Sequence, residues 1–176
     1  MGRHVALLRA VNVGGRKLPM AELRALAAEI GWEGVQTYIQ SGNLVFSAPG
    51  DRAALEAKLE VAIRERFGME VPVVVRGAAE WARYPASNPF AEAAEKEPNR
   101  LMLLLSKRPP VDGAEAAIQA KAAAGEQVRR AGDAIWIHFP EGSGNSKLTP
   151  ALIDRAIGSP ATSRNYRTVI KLQEML

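Results

Sequence analysis

The order in which strand-like and helix-like patterns alternate over residues 4–75 constrains this chain more than any single motif. The apolar run from His4 to Val11 reads as a strand and leads into Asn12, Val13, Gly14, Gly15, Arg16 and Lys17. A helix over residues 19–30 is predicted next, with Pro19 in its first turn, Met20, Leu23, Leu26, Ala27 and Ile30 on one stripe, and Gly31 at its end. Val35, Thr37 and Ile39 then alternate with Gln36, Tyr38 and Gln40, and a Ser41-Gly42-Asn43 turn leads to Leu44, Val45 and Phe46, which reads as a hairpin. Asp51 is placed to cap a second helix, whose apolar stripe is Leu55, Leu59, Ala62, Ile63 and Phe67 before Gly68. A strand from Pro72 to Val75 completes the order βαββαβ, a ferredoxin-like unit with two helices on one face of an antiparallel sheet.

Residues 84–99 hold Pro85, Pro89 and Pro98 and read as an irregular connection with a single turn over 91–96. A second series follows: a buried strand Leu-Met-Leu-Leu-Leu-Ser from Leu101, a helix over 112–123, a hairpin over 125–139, and a helix from Thr149 to Gly158. It repeats the first five elements, as a degenerate duplication would, without a residue-level repeat. Val5 and Leu7 on one face of the first strand and Ala6 and Leu8 on the other are all apolar, so the face away from the helices is expected to be covered by the second half. The fold class is therefore α+β, with a ferredoxin-like N-terminal half packed on a second, related α+β half. Its parts are a half at 1–84, a connection at 85–99 and a half with a C-terminal helix at 100–176, expected to form one compact body.

Absences narrow the chemistry. With no cysteine, disulfides, thiolate nucleophiles and zinc-thiolate sites are excluded, and a reducing, cytoplasmic setting is the default expectation. The N-terminal apolar run is broken by Arg9 and Asn12, too short for a signal peptide core, and no stretch is apolar and long enough to span a membrane. His4 and His138 have no ligand-spaced neighbours, so no metal is expected, and GxSxG, GxGxxG and GxxxxGK[ST] patterns do not occur, so no cofactor is implied. Charge is uneven: net +4 over residues 1–20, −3 over 21–141 and +3 over 142–176. Cationic ends favour an anionic partner, but the charge is modest and solvated surface is the preferred reading of it over a nucleic-acid face.

In a ferredoxin-like unit the first two strands are parallel with the third between them, so their C-terminal ends share one edge with the start of the third. That places Arg9, Asn12, Gly14, Gly15, Arg16 and Lys17 beside Gln40, Ser41, Gly42 and Asn43. Two glycines at a strand-to-helix junction permit close backbone approach, and free amides at a first helical turn suit a phosphate or carboxylate. The competing reading is structural: a tight Gly-Gly turn, ordinary hairpin chemistry and solvated cations. Arg9, placed on a strand, is expected to be partly buried and to need a partner.

A second cationic segment lies near the C-terminus. Thr162 or Ser163 is predicted to cap a final helix with Arg164, Asn165 and Arg167 in its first turn, and Tyr166 between the arginines to stack on a base or to sit in the core. The prediction brings this turn close to the N-terminal edge. The loop Glu141 to Lys147 reads as an anion loop or as a flexible connection.

The stretches Leu-Leu-Arg-Ala-Val-Asn-Val-Gly-Gly-Arg-Lys from Leu7, Tyr-Ile-Gln-Ser-Gly-Asn from Tyr38, Ser-Lys-Leu-Thr-Pro from Ser146 and Ser-Arg-Asn-Tyr-Arg-Thr-Val from Ser163 are similar to blocks of the domain-of-unknown-function 1697 family of mainly bacterial proteins. The resemblance spans nearly the whole chain, with Ala10 where glycine is common and Tyr166 where tryptophan is common. It implies a two-part α+β fold with a ferredoxin-like N-terminal half, and it implies no activity or substrate.

The leading expectation is a protein that binds an anionic small molecule or nucleic-acid phosphate through Arg9, Asn12, Gly14, Gly15, Lys17 and Gln40 to Asn43, completed by Arg164, Asn165 and Arg167. One alternative is an enzyme acting on a phosphorylated or carboxylated substrate there, with Arg9 or Lys17 as electrostatic stabiliser and Ser41 or Tyr166 moving a proton. Another is an interaction module without a ligand. Catalytic residues and oligomeric state are left open by the sequence.

Overall fold

The computed structural model describes all residues, 1–176. It divides into two compact units, Met1–Ala82 with Leu172–Leu176, and Arg83–Lys171.

The first unit contains β1 (Gly2–Leu8), α1 (Met20–Glu29), β2 (Glu33–Thr37), β3 (Asn43–Ala48), α2 (Arg52–Phe67) and β4 (Val73–Gly77). The sheet order is β2-β3-β1-β4 with every pair antiparallel, the ferredoxin-like arrangement read from the element order. Its core lies between sheet and helices: Ala6, Leu8, Leu44, Phe46, Val73 and Val75 meet Leu23, Leu26 and Ala27 of α1 and Leu55, Leu59 and Ile63 of α2. Trp32 stacks on Phe46 at 3.8 Å in this layer. Val5, Leu7, Val45, Val74 and Arg76 on the opposite face are buried as well. Asp51 caps α2, accepting from the Ala54 amide at 2.8 Å, and Gly68 ends it in the left-handed conformation.

The second unit repeats six elements rather than five: β5 (Leu101–Ser106), α5 (Ala114–Gln119), β6 (Gln127–Ala131), β7 (Ala134–His138), α6 (Pro150–Ile157) and β8 (Ala161–Asn165). Its order, β6-β7-β5-β8, is that of the first sheet, element for element. Thr149 caps α6 and Pro150 begins it.

Outer strands in both units are held by side-chain pairs one helical turn apart. Glu60 and Glu56 of α2 accept the Val73 and Val75 amides of β4 at 2.8 and 3.0 Å. Glu115 and Gln119 of α5 accept the Arg130 and Val128 amides of β6 at 2.5 and 2.8 Å. These bonds occupy donors that an edge strand would otherwise offer to another chain.

Four local expectations are corrected. β1 stops at Leu8, because Ala10 takes a φ of 54° and the Arg9 amide turns to the Pro72 carbonyl at 3.0 Å, so Arg9 is not a strand residue. The segment expected to be irregular is largely helical: α3 (Ala78–Ala86) follows β4 directly and α4 (Ala91–Lys96) forms the expected turn. Glu80 reaches back to the Gly77 amide at 2.9 Å, half of a capping box, while Trp81 and Tyr84 are buried. The helix over 112–123 is shorter, because beyond Ile118 the alanines that follow are too small to anchor it and none is buried, and the Ala124 amide is taken by Glu126 at 2.7 Å. The final helix α7 (Tyr166–Met175) is capped by Asn165, which accepts from the Thr168 amide at 3.0 Å, so Thr162, Ser163 and Arg164 belong to β8 and not to a helical turn.

Candidate functional site

Two buried side chains, Val11 and Leu18, anchor the ends of the loop that follows β1. Between them, Val13 and Arg16 pair as a miniature hairpin whose tip is Gly14-Gly15, with φ of 57° and 81°. That tip requires positive φ at both central positions, which glycine adopts without strain. The glycines therefore form an exposed tip four residues ahead of α1 instead of the helix entry expected from the sequence.

Asn12 closes the loop. Its Oδ1 accepts the Leu18 amide at 2.9 Å, and its Nδ2 donates to the Leu18 carbonyl at 3.0 Å and to the Gln40 carbonyl at 2.7 Å. This last bond joins the post-β1 loop to the β2–β3 connection, so the two loops meet at one sheet edge as the strand order demands. The second loop is pinned from behind. Asn43, fully buried, donates to the Tyr38 carbonyl at 2.8 Å and to the Ser41 hydroxyl at 2.9 Å. The Gly42 carbonyl accepts the Leu8 amide at 2.9 Å, and a Cβ there would meet Val11 Cγ2 at 2.7 Å and Leu8 Cβ at 2.8 Å.

The joined loops and the start of α1 wall an open pocket of ≈ 680 Å³. Its polar lining is Asn12, Gly15, Arg16, Lys17, Arg24 and Gln40, and Pro19, Met20 and Ala21 supply the first turn of α1. No carboxylate and no histidine lines it. Pro19 at the head of α1 has no capping side chain, so the leading amides keep their donors and the positive end of the helix dipole faces this region. Two cations are braced: Arg16 Nη2 donates to the Glu70 carbonyl at 2.7 Å and Arg24 Nη1 to the Thr37 hydroxyl at 2.5 Å. Lys17 is exposed.

Backbone strain is concentrated here. Ala10, Asn12 and Ile39, with φ of 54°, 56° and 51°, are the chain's three non-glycine residues with positive φ, and all lie in these two loops. Asparagine tolerates that region, whereas alanine and β-branched isoleucine do not take it freely.

Of the residues singled out from sequence, Asn12, Gly15, Lys17 and Gln40 line the pocket. Gly14 is at the hairpin tip, Arg9 precedes the loop, and Ser41, Gly42 and Asn43 support the wall without lining it. Arg24 was missed because an exposed arginine on an amphipathic helix carries no signal beyond its place one turn after Met20.

The C-terminal residues lie in the second unit. Arg164 is buried on β8, its Nη1 donating to the Thr162 hydroxyl and the Ser163 carbonyl, both at 2.7 Å, and burial lowers its pKa to about 10. Asn165 caps α7 and Arg167 is exposed in its first turn. Tyr166 lies against Trp136 at 6.1 Å. His4 bonds the Ala48 carbonyl at 3.2 Å, and His138 bonds Glu97 at 2.9 Å.

The family model for DUF1697, described as a protein of unknown function, matches residues 1–136. The chain belongs to that family. Among solved structures, the conserved bacterial protein SP0830 from Streptococcus pneumoniae is similar over 100% of this chain and 98% of its own, with a TM-score of 0.77 and 25% identity. No curated protein matches the chain. No helix is long and apolar enough to cross a membrane.

Proposed function

We propose that this DUF1697 protein binds an anionic small molecule, with a phosphoryl group held by Lys17, Arg16, Arg24 and the leading amides of α1. The observation that carries the reading is a pocket lined by three cations and no carboxylate. Such a cluster repels itself until an anion enters, and each cation contributes more to a charge-assisted bond than to an ordinary one. The volume of ≈ 680 Å³ is of a size for a small ligand. The absence of a carboxylate or histidine from the lining favours binding over proton-transfer catalysis.

The test is thermal. At equal ionic strength, phosphate or sulfate should raise the melting temperature more than chloride does, because an anion bound to the folded state alone adds stability by mass action. Lys17→Ala combined with Arg24→Ala should abolish that difference. The same stabilisation in wild type and double variant would indicate a general salt effect and refute the reading.

A further inference from the structure

The polar side chains that line the pocket differ in what they have left to offer a ligand. Asn12 has nothing to spare: its Oδ1 and both hydrogens of its Nδ2 are engaged with Leu18 and Gln40. Arg16 and Arg24 are each braced through one nitrogen and Lys17 is exposed, and all of them can only donate. Gln40 stands apart. Its backbone carbonyl is held by Asn12 at 2.7 Å, whereas its side-chain carboxamide bonds to no group of the protein. Gln40 Oε1 is therefore the uncommitted side-chain acceptor in a lining otherwise made of donors, Gly15 and the apolar Pro19, Met20 and Ala21.

A phosphoryl group alone has no use for that acceptor. When ionised it presents oxygens and no hydrogen, and a lysine or arginine at position 40 would bind it more strongly through a charge-assisted bond. A cavity of ≈ 680 Å³ is also in the range that holds an entire organic ligand. No aromatic side chain lines it, so a base or other flat ring would find no stacking platform.

We infer that Gln40 is a specificity-determining residue that bonds a hydroxyl group of the ligand, and that the ligand is a hydroxylated aliphatic phosphate ester of the polyol or sugar phosphate class. This rests on the anion-binding reading and names the substrate class of the same pocket. A hydroxyl both donates and accepts, so it can meet Oε1 or Nε2 of Gln40 while the phosphoryl group meets the cations. The bond from Asn12 ties the backbone of Gln40 to the loop that carries Arg16 and Lys17, which fixes the spacing between the two parts of the site.

The experiment compares glycerol 3-phosphate with n-propyl phosphate, its analogue without hydroxyl groups, by isothermal titration calorimetry. Wild type should bind glycerol 3-phosphate about fivefold more tightly, the net worth of one ordinary hydrogen bond. Gln40→Met keeps the length of the side chain and removes both polar atoms. In that variant the preference should fall to within about twofold, with the affinity for n-propyl phosphate also within about twofold of wild type. Circular dichroism should show the variant folded, since residue 40 is exposed and its bond from Asn12 uses the backbone carbonyl. Equal affinities or the reverse preference in wild type, or a preference that survives in the variant, would overturn this inference and leave anion binding standing. An equal loss for both probes in the variant would do the same, because it would make Gln40 a contact of the phosphoryl group. Failure of both probes to bind wild type would overturn both readings.

Discussion

Arg76 and Arg164 occupy equivalent positions in the two units. Each is the fourth residue of the strand that completes its sheet, β4 or β8, and each pairs with the strand before it in the order, Arg76 opposite Val5 and Arg164 opposite Leu103. Each donates Nη1 to the carbonyl of its preceding residue, at 2.8 and 2.7 Å, and both are buried. Two sheets of the same strand order thus each carry a buried guanidinium at one register position.

Burial of Arg164 predicts an asymmetric mutational response. Arg164→Ala should cost about 3 kcal/mol, because it leaves a cavity and removes the partner of the Thr162 hydroxyl. Arg164→Met should recover part of that loss, since it keeps the stem volume. With a folded-state pKa of about 10, below the ordinary arginine value, the charged form is penalised below pH 10 and the penalty is relieved as pH rises above it. Denaturant titrations should therefore show a Met-minus-wild-type difference that is flat from about pH 6 to pH 9.

Asn12 should contribute to stability and ligand binding together. Asn12→Ala removes three hydrogen bonds that join Leu18 and Gln40, and it leaves an alanine at a φ of 56°. The expected cost is about 2–3 kcal/mol in urea denaturation. The chloride-corrected thermal shift with phosphate should fall as well, because Gln40 is no longer tied to the cationic loop. Asn12→Asp should restore the bond from the Leu18 amide but neither bond from Nδ2. Full rescue by aspartate would contradict the role of the loop-to-loop bond.

Gly42 tests the close approach of the loops. Gly42→Ala should destabilise by about 3 kcal/mol or more, through contacts at 2.7 and 2.8 Å with Val11 and Leu8 added to a φ of 87°. Gly14→Ala, at an exposed tip where a Cβ meets nothing within 4 Å, should cost only about 1 kcal/mol, the conformational penalty alone. Comparable losses at the two glycines would show that crowding is not what sets the cost.

Glu126 gives a pH prediction. The Ser146 hydroxyl, donating at 2.7 Å, and the Ala124 amide hold its carboxyl below the ordinary value of 4.5, against the opposing effect of burial. A lowered folded-state pKa adds stability that is complete above the ordinary value and lost as pH falls through the folded one. Ser146→Ala should cost about 1–2 kcal/mol at neutral pH. Its difference from wild type should shrink as pH drops below about 4.5; a gap that widens in acid would reverse the assignment.

Elements with a strong period and a marked start were legible in the sequence. Asp51 ahead of the α2 stripe and Thr149-Pro150 ahead of α6 are capped as their residue types imply. β8 was not legible, because its buried positions include Thr162 and Arg164 while Ser163 faces out, so the apolar alternation that marks a strand is missing. Ile39 shows the reverse failure. Side-chain type continues the strand alternation through it, yet β2 ends at Thr37 and the backbone turns left-handed, a change that residue type does not encode. At the pocket, strand order identified which loops meet. It did not reveal Arg24, whose place on the pocket wall comes from how α1 is rotated against the sheet.

The contact between Arg3 and Met175 reaches beyond local stability. Arg3 Nη2 donates to the Met175 carbonyl at 2.9 Å, so the third residue and the penultimate residue of the chain are held together within the first unit. Arg3 and Met175 are thus close enough in space for a linker to join the segments that carry them. A short glycine-serine linker from Leu176 to Met1, with new ends opened in the exposed 143–145 loop, should yield a circular permutant that keeps both sheets and the loops around Asn12 and Gln40.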